Sequence, residues 1–373
     1  MAGIYFHIPF CRQACHYCNF HFSTSTVYKN EFVAALLKEL ELQKNYLAGE
    51  AVETIYFGGG TPSLLEAAEL DSVLNTLHSI FPVTDGAEIT LEANPDDITA
   101  AKLIAWNSSG INRLSIGIQS FYDQDLQWMN RAHNSRQAEE SISLSQRYGF
   151  NNISIDLIYG TPQLSNEHWK VNVQKALSFG IPHLSCYALT VEPKTTLHKQ
   201  IRLHQTPGVD PDRQSEQFLL LMQWLEEAGY EHYEISNFAR PGFRSRHNSS
   251  YWQGKKYLGL GPSAHSFNGA SRQWNIANNK RYIDAVVNNI VPCEKEELSA
   301  VQKINEYIMT SLRTAEGLHL EKLDETATAQ LIQASRKFID HRLMDFSENC
   351  LRLTREGKLL ADGIAADLFF DEG

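Results

Sequence analysis

The stretch Cys11-Arg12-Gln13-Ala14-Cys15-His16-Tyr17-Cys18 places three of the six cysteines of this 373-residue chain on one short segment. It follows the strand-like run at residues 4–7, so we predict a loop. Zinc normally takes a fourth protein ligand to complete its tetrahedron, whereas three thiolates leave one iron of a [4Fe-4S] cluster open. The spacing therefore favours an iron–sulfur cluster held by Cys11, Cys15 and Cys18 over a zinc site.

The rest of the composition is that of an ordinary globular protein. The other cysteines, Cys186, Cys293 and Cys350, stand alone, and we expect small buried apolar side chains rather than disulfides. No apolar run approaches the roughly 20 residues of a membrane helix, and the start does not resemble a secretory signal. The net charge of −11 gives no electrostatic argument for nucleic acid. We expect a cytoplasmic protein without an integral membrane segment.

Strand-like runs alternate with helical patterns up to about residue 240. The runs lie at residues 4–7, 54–57, 88–91, 113–118, 153–158 and 183–188. Amphipathic helical patterns separate them, at about residues 32–40, 66–80, 135–148, 168–179 and 212–228. Six β-α units predict an α/β fold with a parallel sheet. Since this is short for an eight-fold barrel, we predict a partial, six-unit (β/α) barrel.

Unusual residues lie where these predicted strands end. The second strand runs into Gly58-Gly59-Gly60-Thr61-Pro62 and the third into Glu92-Ala93-Asn94-Pro95; Gln119, Asp156 and Ala188 end the others. Carboxyl ends of parallel strands meet at one edge, which predicts one site there. Each feature also has a structural explanation, such as a tight turn for the glycines or a solvated charge for Arg131. Their common order behind the cysteines favours the site.

After about residue 240 the alternation stops, and we predict three parts: a core of residues 1–240, a bridging segment of residues 241–298 and a C-terminal domain of residues 299–373. The order of patterns in the last part is typical of a winged helix, a fold often used on DNA. Residues 300–373 hold 9 Lys and Arg against 13 Asp and Glu, the wrong sign for phosphate binding. We therefore expect a cover or partner-docking domain that binds no nucleic acid.

The cysteine spacing, the glycine run and the carboxylates together resemble the radical S-adenosylmethionine superfamily. The resemblance implies a [4Fe-4S] cluster, bound S-adenosylmethionine and an electron donor to the cluster. It implies that Arg131 pairs with the methionine carboxylate, and that Tyr17 packs against adenine beside Ala188. Glycines would let the backbone approach the methionine closely. The implied cofactor-binding residues are Tyr5, Tyr17, Gly59, Gly60, Thr61, Glu92, Gln119, Arg131, Asp156 and Ala188.

Within that superfamily the whole chain is similar to the branch of the oxygen-independent coproporphyrinogen III dehydrogenases. Two departures resemble instead the HemW family of haem chaperones. Phe20 stands where the dehydrogenases have a fourth cysteine, and the sequence begins close to its first strand, without their N-terminal extension. The segment His247-Asn248-Ser249-Ser250-Tyr251-Trp252 matches the HNxxYW motif linked to haem binding in that family.

This resemblance implies haem binding and delivery to recipient haem proteins, respiratory enzymes among the candidates. His247 is the first candidate for the haem-iron ligand, with Asn248, Tyr251 and Trp252 beside it, and His265 is the second. Since the segment follows the last β-α unit, we expect it near the barrel mouth. His247 as a buried structural histidine remains the alternative.

Two other functions stay open at this point. One is radical decarboxylation of coproporphyrinogen III, against which Phe20 argues; the other is a radical reaction on an unknown substrate. Catalytic residues are not assigned, and we do not expect an active coproporphyrinogen III dehydrogenase.

Overall fold

The computed structural model describes residues 1–371 and begins with six β-α units. The six strands are β1 (Ala2–Ile8), β2 (Val52–Gly59), β3 (Val83–Ala93), β4 (Arg113–Gln119), β5 (Ile153–Tyr159) and β6 (His183–Ala188). The helices between and after them are α1 (Lys29–Leu42), α2 (Ala67–Ile80), α3 (Ala100–Ser108), α4 (Asp123–Trp128), α5 (Ser135–Arg147), α6 (Asn166–Ser178), α7 (Thr196–Arg202) and α8 (Pro211–Glu227). Every predicted strand run falls inside one of these strands.

The six strands are parallel neighbours in chain order, as predicted. Along β2, Ile55 and Phe57 are fully buried in the hydrophobic core, while Thr54 and Tyr56 alternate with them on the other face. Polar and aromatic side chains therefore line the inner face of the sheet, on which the candidate site is built.

Further strands extend this sheet at both ends, which the sequence pattern did not predict. On one side lie β7 (Glu231–Glu234) and β8 (Asn237–Ala239), with β8 antiparallel to β6. On the other side β9 (Tyr257–Leu260) pairs parallel with β1 and is followed by β10 (His265–Phe267), β11 (Ser271–Asn275) and β12 (Cys293–Glu297). Helices α9 (Arg246–Trp252) and α10 (Asn279–Val287) connect them. The resulting order of the twelve strands is open, from β12 at one edge to β7 at the other, so the barrel is partial.

The C-terminal part has its own small hydrophobic core around Leu331 and Leu351. It comprises α11 (Ala300–Leu312), β13 (Leu318–His319), α12 (Glu325–Asp340), β14 (Met344–Ser347), β15 (Cys350–Leu353) and α13 (Ala361–Asp367). The three strands form an antiparallel sheet in the order β13-β15-β14. This helix–strand–helix–hairpin order agrees with the predicted winged-helix-like domain.

Two smaller findings concern the isolated cysteines and the search for a membrane-spanning helix. Cys186 and Cys350 are buried, as expected, while Cys293 is half-buried. Within residues 1–371, we find no helix with both the length and the apolar character needed to cross a bilayer.

Candidate functional site

The three clustered cysteines lie on the loop that follows β1, at the carboxyl edge of the sheet. The backbone N–H of Cys11 donates to Ser23 O at 3.0 Å, which fixes the start of the loop beside its end. All three thiols are free and half-buried. Burial is the main cause that raises the pKa of Cys11 to about 11; a hydrogen bond from Thr61 opposes it, while Cys18 and Cys15 add to it. The three sulfurs therefore act on one another electrostatically, and iron binding has to displace their protons.

Arg131 lies beside this loop, just after α4. Its Nη1 is 3.3 Å from Cys15 Sγ, and Nη2 donates to Asn94 Oδ1 at 2.7 Å and to Gly117 O at 2.9 Å. Its Nε is buried without a hydrogen-bond partner among the described residues. Arg131 is therefore no solvated charge: it is anchored beside the thiols and keeps one donor free for an anion.

Neighbouring residues hold the loop from the same side. Asn130 Nδ2 donates to Ala14 O at 2.7 Å, and Gln13 Nε2 donates to Asn130 Oδ1 at 2.9 Å. His16 Nδ1 is 2.9 Å from Trp128 O. The cysteine loop thus has a defined conformation supported by a second segment of the chain.

The glycine run at the end of β2 packs against the end of β1. Gly59 has φ +107°, and a Cβ there would lie 2.8 Å from the His7 ring. A Cβ on Gly60 would lie 2.7 Å from Phe10 O. The sequence suggested that these glycines leave room for the methionine; the structure shows that they first leave room for β1 and the cysteine loop. Thr61, directly after them, places its Oγ1 3.4 Å from Cys11 Sγ.

Glu92 and Asp156 line a cavity of about 40 Å³ on the inner face of the sheet. Glu92 accepts a hydrogen bond from the Tyr56 hydroxyl at 2.7 Å. Burial, with a further contribution from Asp156, raises the pKa of Glu92 to about 8 although the Tyr56 hydroxyl opposes it. Burial also raises the pKa of Asp156 to about 6, against the opposing effects of Ser185 and Arg131. A cationic amino group beside these two carboxyls would offset the cost of their charge.

Gln119 ends β4 in a strained backbone conformation. It is only 8% exposed and has φ +65°, and the pairing of β4 with β5 shifts register between Ile116 and Gln119. Such strain is concentrated at functional sites, where it re-aims a side chain. Since Gln119 is the last residue of β4, it lies at the same carboxyl edge as the cysteines, as the sequence predicted.

Tyr5, Tyr17 and Ala188 complete the predicted set. The Tyr5 hydroxyl is 3.2 Å from His7 Nδ1 on the inner face of β1. Tyr17 packs against the small apolar cluster that includes Leu189, the residue after Ala188. The structure thus brings the tyrosine of the cysteine loop to the end of β6, the neighbourhood where adenine binding was expected.

The residues present fit a [4Fe-4S] cluster with S-adenosylmethionine. The loop offers three free thiols, Arg131 offers a buried unpartnered donor, and the inner cavity offers two carboxyls. Phe20, at the position of the dehydrogenases' fourth cysteine, is 67% exposed and offers no polar atom. Within residues 1–371 no three His, Cys, Asp or Glu side chains, these thiols included, are arranged to hold a single metal ion, as distinct from a four-iron cluster.

The HNxxYW segment forms α9 and lies at the opposite end of the barrel from the cysteines, not at its mouth. The backbone N–H of His247 donates to Glu88 Oε1 at 3.0 Å, and its Nδ1 is 2.8 Å from Thr54 Oγ1. Thr54 and Glu88 lie towards the amino ends of β2 and β3, whereas the glycine run and Glu92 are at the carboxyl ends. Helix α9 thus closes the amino end of the barrel, because long-range hydrogen bonds place it there.

Within α9, His247 is 1% exposed and both of its ring nitrogens are engaged. Its Nε2 is 2.8 Å from the Tyr251 hydroxyl, and its ring stacks on Tyr56 with 5.0 Å between centroids. Burial lowers the pKa of His247 to about 3, so the imidazole is neutral. In this conformation His247 has no free nitrogen for iron, and the structural alternative describes its present role.

The remaining haem candidates face different surroundings. Asn248 lines the inner cavity beside Asp156, and Trp252 lines a separate, larger cavity against the C-terminal part. His265 is exposed on β10, with its ring 6.3 Å from that of Trp274. The structure therefore does not bring the five candidates into one pocket.

Sequence reasoning missed several residues of the inner face. Tyr56 connects Glu92 to His247, and Glu88 holds the start of α9. Arg113 is 2% exposed and lines the inner cavity. A charged residue such as Glu88 or Arg113 inside an apolar strand was the available signal.

The partial barrel, with its cysteine loop at the carboxyl edge, defines a radical S-adenosylmethionine protein. The sequence profile of the Radical SAM superfamily matches residues 5–176, and that of the HemN C-terminal domain matches residues 298–360. Among solved structures, coproporphyrinogen III oxidase (HemN) from Escherichia coli has a TM-score of 0.86 and 23% identity, covering 99% of this chain and 90% of that one. This likeness confirms the fold.

Curated relatives narrow the class. "Heme chaperone HemW" of Bacillus subtilis is 33% identical, covering 98% of this chain and 98% of that protein. "Heme chaperone HemW" of Mycobacterium tuberculosis (strain H37Rv) is 34% identical, covering 98% of this chain and 94% of that protein. The chain belongs to the HemW heme chaperone family.

Proposed function

We propose that this protein binds haem and delivers it to recipient haem proteins. The observation that carries the proposal is the similarity to heme chaperones along nearly the whole chain, at 33% identity in one case. Phe20, where the dehydrogenases have a cysteine, separates the chain from the porphyrin-oxidising members of the fold. The proposal places the exchange in the cytoplasm, with respiratory enzymes among the candidate recipients.

The barrel part of the proposal concerns the cluster and S-adenosylmethionine. When bound, they supply one-electron reduction chemistry, fed by an electron donor. Cys11, Cys15 and Cys18 are the proposed iron ligands, and the Nε of Arg131 is the proposed partner of the methionine carboxylate. Glu92 and Asp156 are the proposed partners of the amino or ribose groups. Tyr5, Tyr17, Gly59, Gly60, Thr61, Gln119 and Ala188 complete the proposed binding surface.

We propose that the segment from His247 to Trp252 contributes to haem binding, with His265 as a further candidate. For His247 to bind iron, it must give up its contacts with Thr54 and Tyr251. Asn248 and Tyr251 are held in the same network, so we propose that they support the segment. We also propose residues 1–240, 241–298 and 299–373 as the functional parts, with the last as the docking domain.

The test compares haem and coproporphyrinogen III on the reconstituted protein under anaerobic conditions. We expect a Soret band on haem titration, and transfer of that haem to an apo-haem protein followed by its own spectrum. With reductant and S-adenosylmethionine, coproporphyrinogen III should remain unconverted. Steady formation of protoporphyrinogen IX, with stoichiometric 5′-deoxyadenosine and CO₂, would refute the proposal. Absence of haem binding at micromolar haem would refute it as well.

A further inference from the structure

A cavity of about 420 Å³ lies outside the barrel, between α9 and α11. One wall is a polar face of α11, with Lys303, Tyr307 and Thr310 at helical spacing; the facing wall includes Trp252 of α9. The volume lies within the range of roughly 300–1,000 Å³ that is typical of small-molecule and cofactor sites. None of the residues proposed to bind the cluster or S-adenosylmethionine lines it.

The lining of this cavity suits a large flat aromatic ligand. Four aromatic residues line it: Tyr233, Trp252, Phe267 and Tyr307. The Arg313 guanidinium lies 5.3 Å from the centroid of the Trp252 ring, so a ligand stacked on that face takes its place. The Nε1 atom of Trp252 is buried and has no hydrogen-bond partner among residues 1–371. A buried donor without a partner costs about 1–3 kcal/mol, which an acceptor group on a ligand can recover.

The charges around the cavity suit a ligand with two carboxylates. Its two acidic residues are already paired, Glu306 with Arg272 and Glu316 with Arg244. Lys303 and Lys322 have no carboxylate within salt-bridge distance in the described chain, and both are exposed. Lys322 Nζ lies 5.3 Å from the centroid of the Tyr307 ring, so it leaves that ring face to bind a carboxylate. Two ammonium groups without a carboxylate partner at one cavity match the two propionates of haem.

His319 supplies a free imidazole on the same lining. The Tyr307 hydroxyl donates to His319 O and accepts from His319 N, both at 3.0 Å, so the backbone of His319 is fixed. Its half-buried ring makes no hydrogen bond through either nitrogen within residues 1–371, in contrast to His247. A neutral imidazole nitrogen with an available lone pair is what haem iron takes as an axial ligand.

We propose that haem binds in this cavity, with the macrocycle against Trp252 and Tyr307, its propionates at Lys303 and Lys322, and a ring nitrogen of His319 on the iron. The inference rests on the proposed function and names the site and ligand for it. At this site the HNxxYW segment contacts haem through Trp252, while His247 holds α9 in place.

The test titrates ferric haem into the full-length, cluster-loaded protein and its variants under anaerobic conditions. His319→Ala should shift the Soret band and weaken haem affinity by at least ~10-fold, because the axial ligand is lost. The matched control is His341→Ala, an exposed histidine of the same C-terminal part, which should leave both unchanged. Iron content and circular dichroism verify that the cluster and the fold are retained.

A second variant keeps the proposal testable if His319→Ala proves unstable. Reversing both charges in Lys303→Glu/Lys322→Glu should weaken haem affinity without shifting the Soret band, because the iron ligand remains. If His319→Ala, or the double variant, binds haem with the wild-type spectrum and affinity, the site assignment is overturned while the proposed function stands. If the wild type binds no haem, the proposed function itself fails.

Discussion

His247→Ala should destabilise the protein strongly, independently of any haem. The side chain is 1% exposed and joins Thr54 to Tyr251 through two 2.8 Å hydrogen bonds. Its removal leaves two hydroxyl groups without that partner and opens a space beside the Tyr56 ring. Each unsatisfied buried polar group costs about 1–3 kcal/mol, and the lost ring contact about 0.5–1.5 kcal/mol. The expected loss is therefore about 2.5–7.5 kcal/mol out of a total stability of roughly 5–15 kcal/mol.

The assay is thermal unfolding followed by circular dichroism at neutral pH. A loss of this size corresponds to about 3–10 °C in the unfolding midpoint of a protein this large. Tyr251→Phe, which keeps the ring but leaves His247 Nε2 without its partner, is the matched comparison and should cost about 1–3 kcal/mol. A His247→Ala variant within about 1 kcal/mol of the wild type would refute the structural role of His247.

The pH dependence of the same position offers an independent check. Burial lowers the pKa of His247 to about 3 in the folded protein, so below about pH 6.5 only the unfolded chain takes up this proton. The wild type therefore loses stability as the pH falls through this range. His247→Gln takes up no such proton. The difference in unfolding free energy between the wild type and this variant should therefore shrink by about 1 kcal/mol between about pH 7 and pH 5.5. A constant deficit would show that His247 is not buried as a neutral group.

Two further predictions concern the carboxyl edge. Replacing Cys11, Cys15 or Cys18 by Ala should remove most of the iron and the absorbance near about 400 nm. The same change at Cys186, Cys293 or Cys350 should leave both nearly intact. Equal loss of iron in the two sets would contradict the ligand assignment. Gly60→Ala should lower stability by about 1–3 kcal/mol, because its Cβ would lie 2.7 Å from Phe10 O. The control is Gly363→Ala in α13, where a Cβ meets nothing within 4 Å; it should stabilise the protein by about 0.5–1 kcal/mol. A Gly60→Ala variant as stable as this control would argue against the packing of Gly60 on Phe10.

The core of the fold was predictable because its signals are local. Each of the six parallel strands is a short apolar run, and the helices between them repeat apolar residues at helical spacing. The edge at which the cysteines, Gly59, Glu92 and Gln119 meet follows from parallel topology alone. Burial of Cys186 and Cys350 was predicted from their isolation.

The position of α9 was not predictable, because distant contacts decide it. His247 reaches Glu88 across 159 positions and Thr54 across 193. In the pairing of β9 with β1, Tyr257 lies opposite Gly3, 254 positions away. No periodicity in residues 241–298 reveals such partners. His319 carries no motif, and only the hydrogen bonds of its neighbour Tyr307 draw attention to it.

The placement of α9 at the amino end of the barrel separates two kinds of chemistry in space. From Thr54 to Gly59 the β2 strand spans about 17 Å, at about 3.3 Å per residue. A bond broken at the cysteine loop lies too far away for direct reaction with a group held beyond α9. Communication between the two ends has to pass through side chains, and Tyr56 is placed to relay it: its hydroxyl binds Glu92 and its ring lies on His247. The Tyr5 ring lies beside this path as well, 6.1 Å from the ring of Tyr56 and 6.4 Å from that of His247. The barrel wall therefore keeps the two ends apart and leaves stacked aromatic side chains as the contact between them.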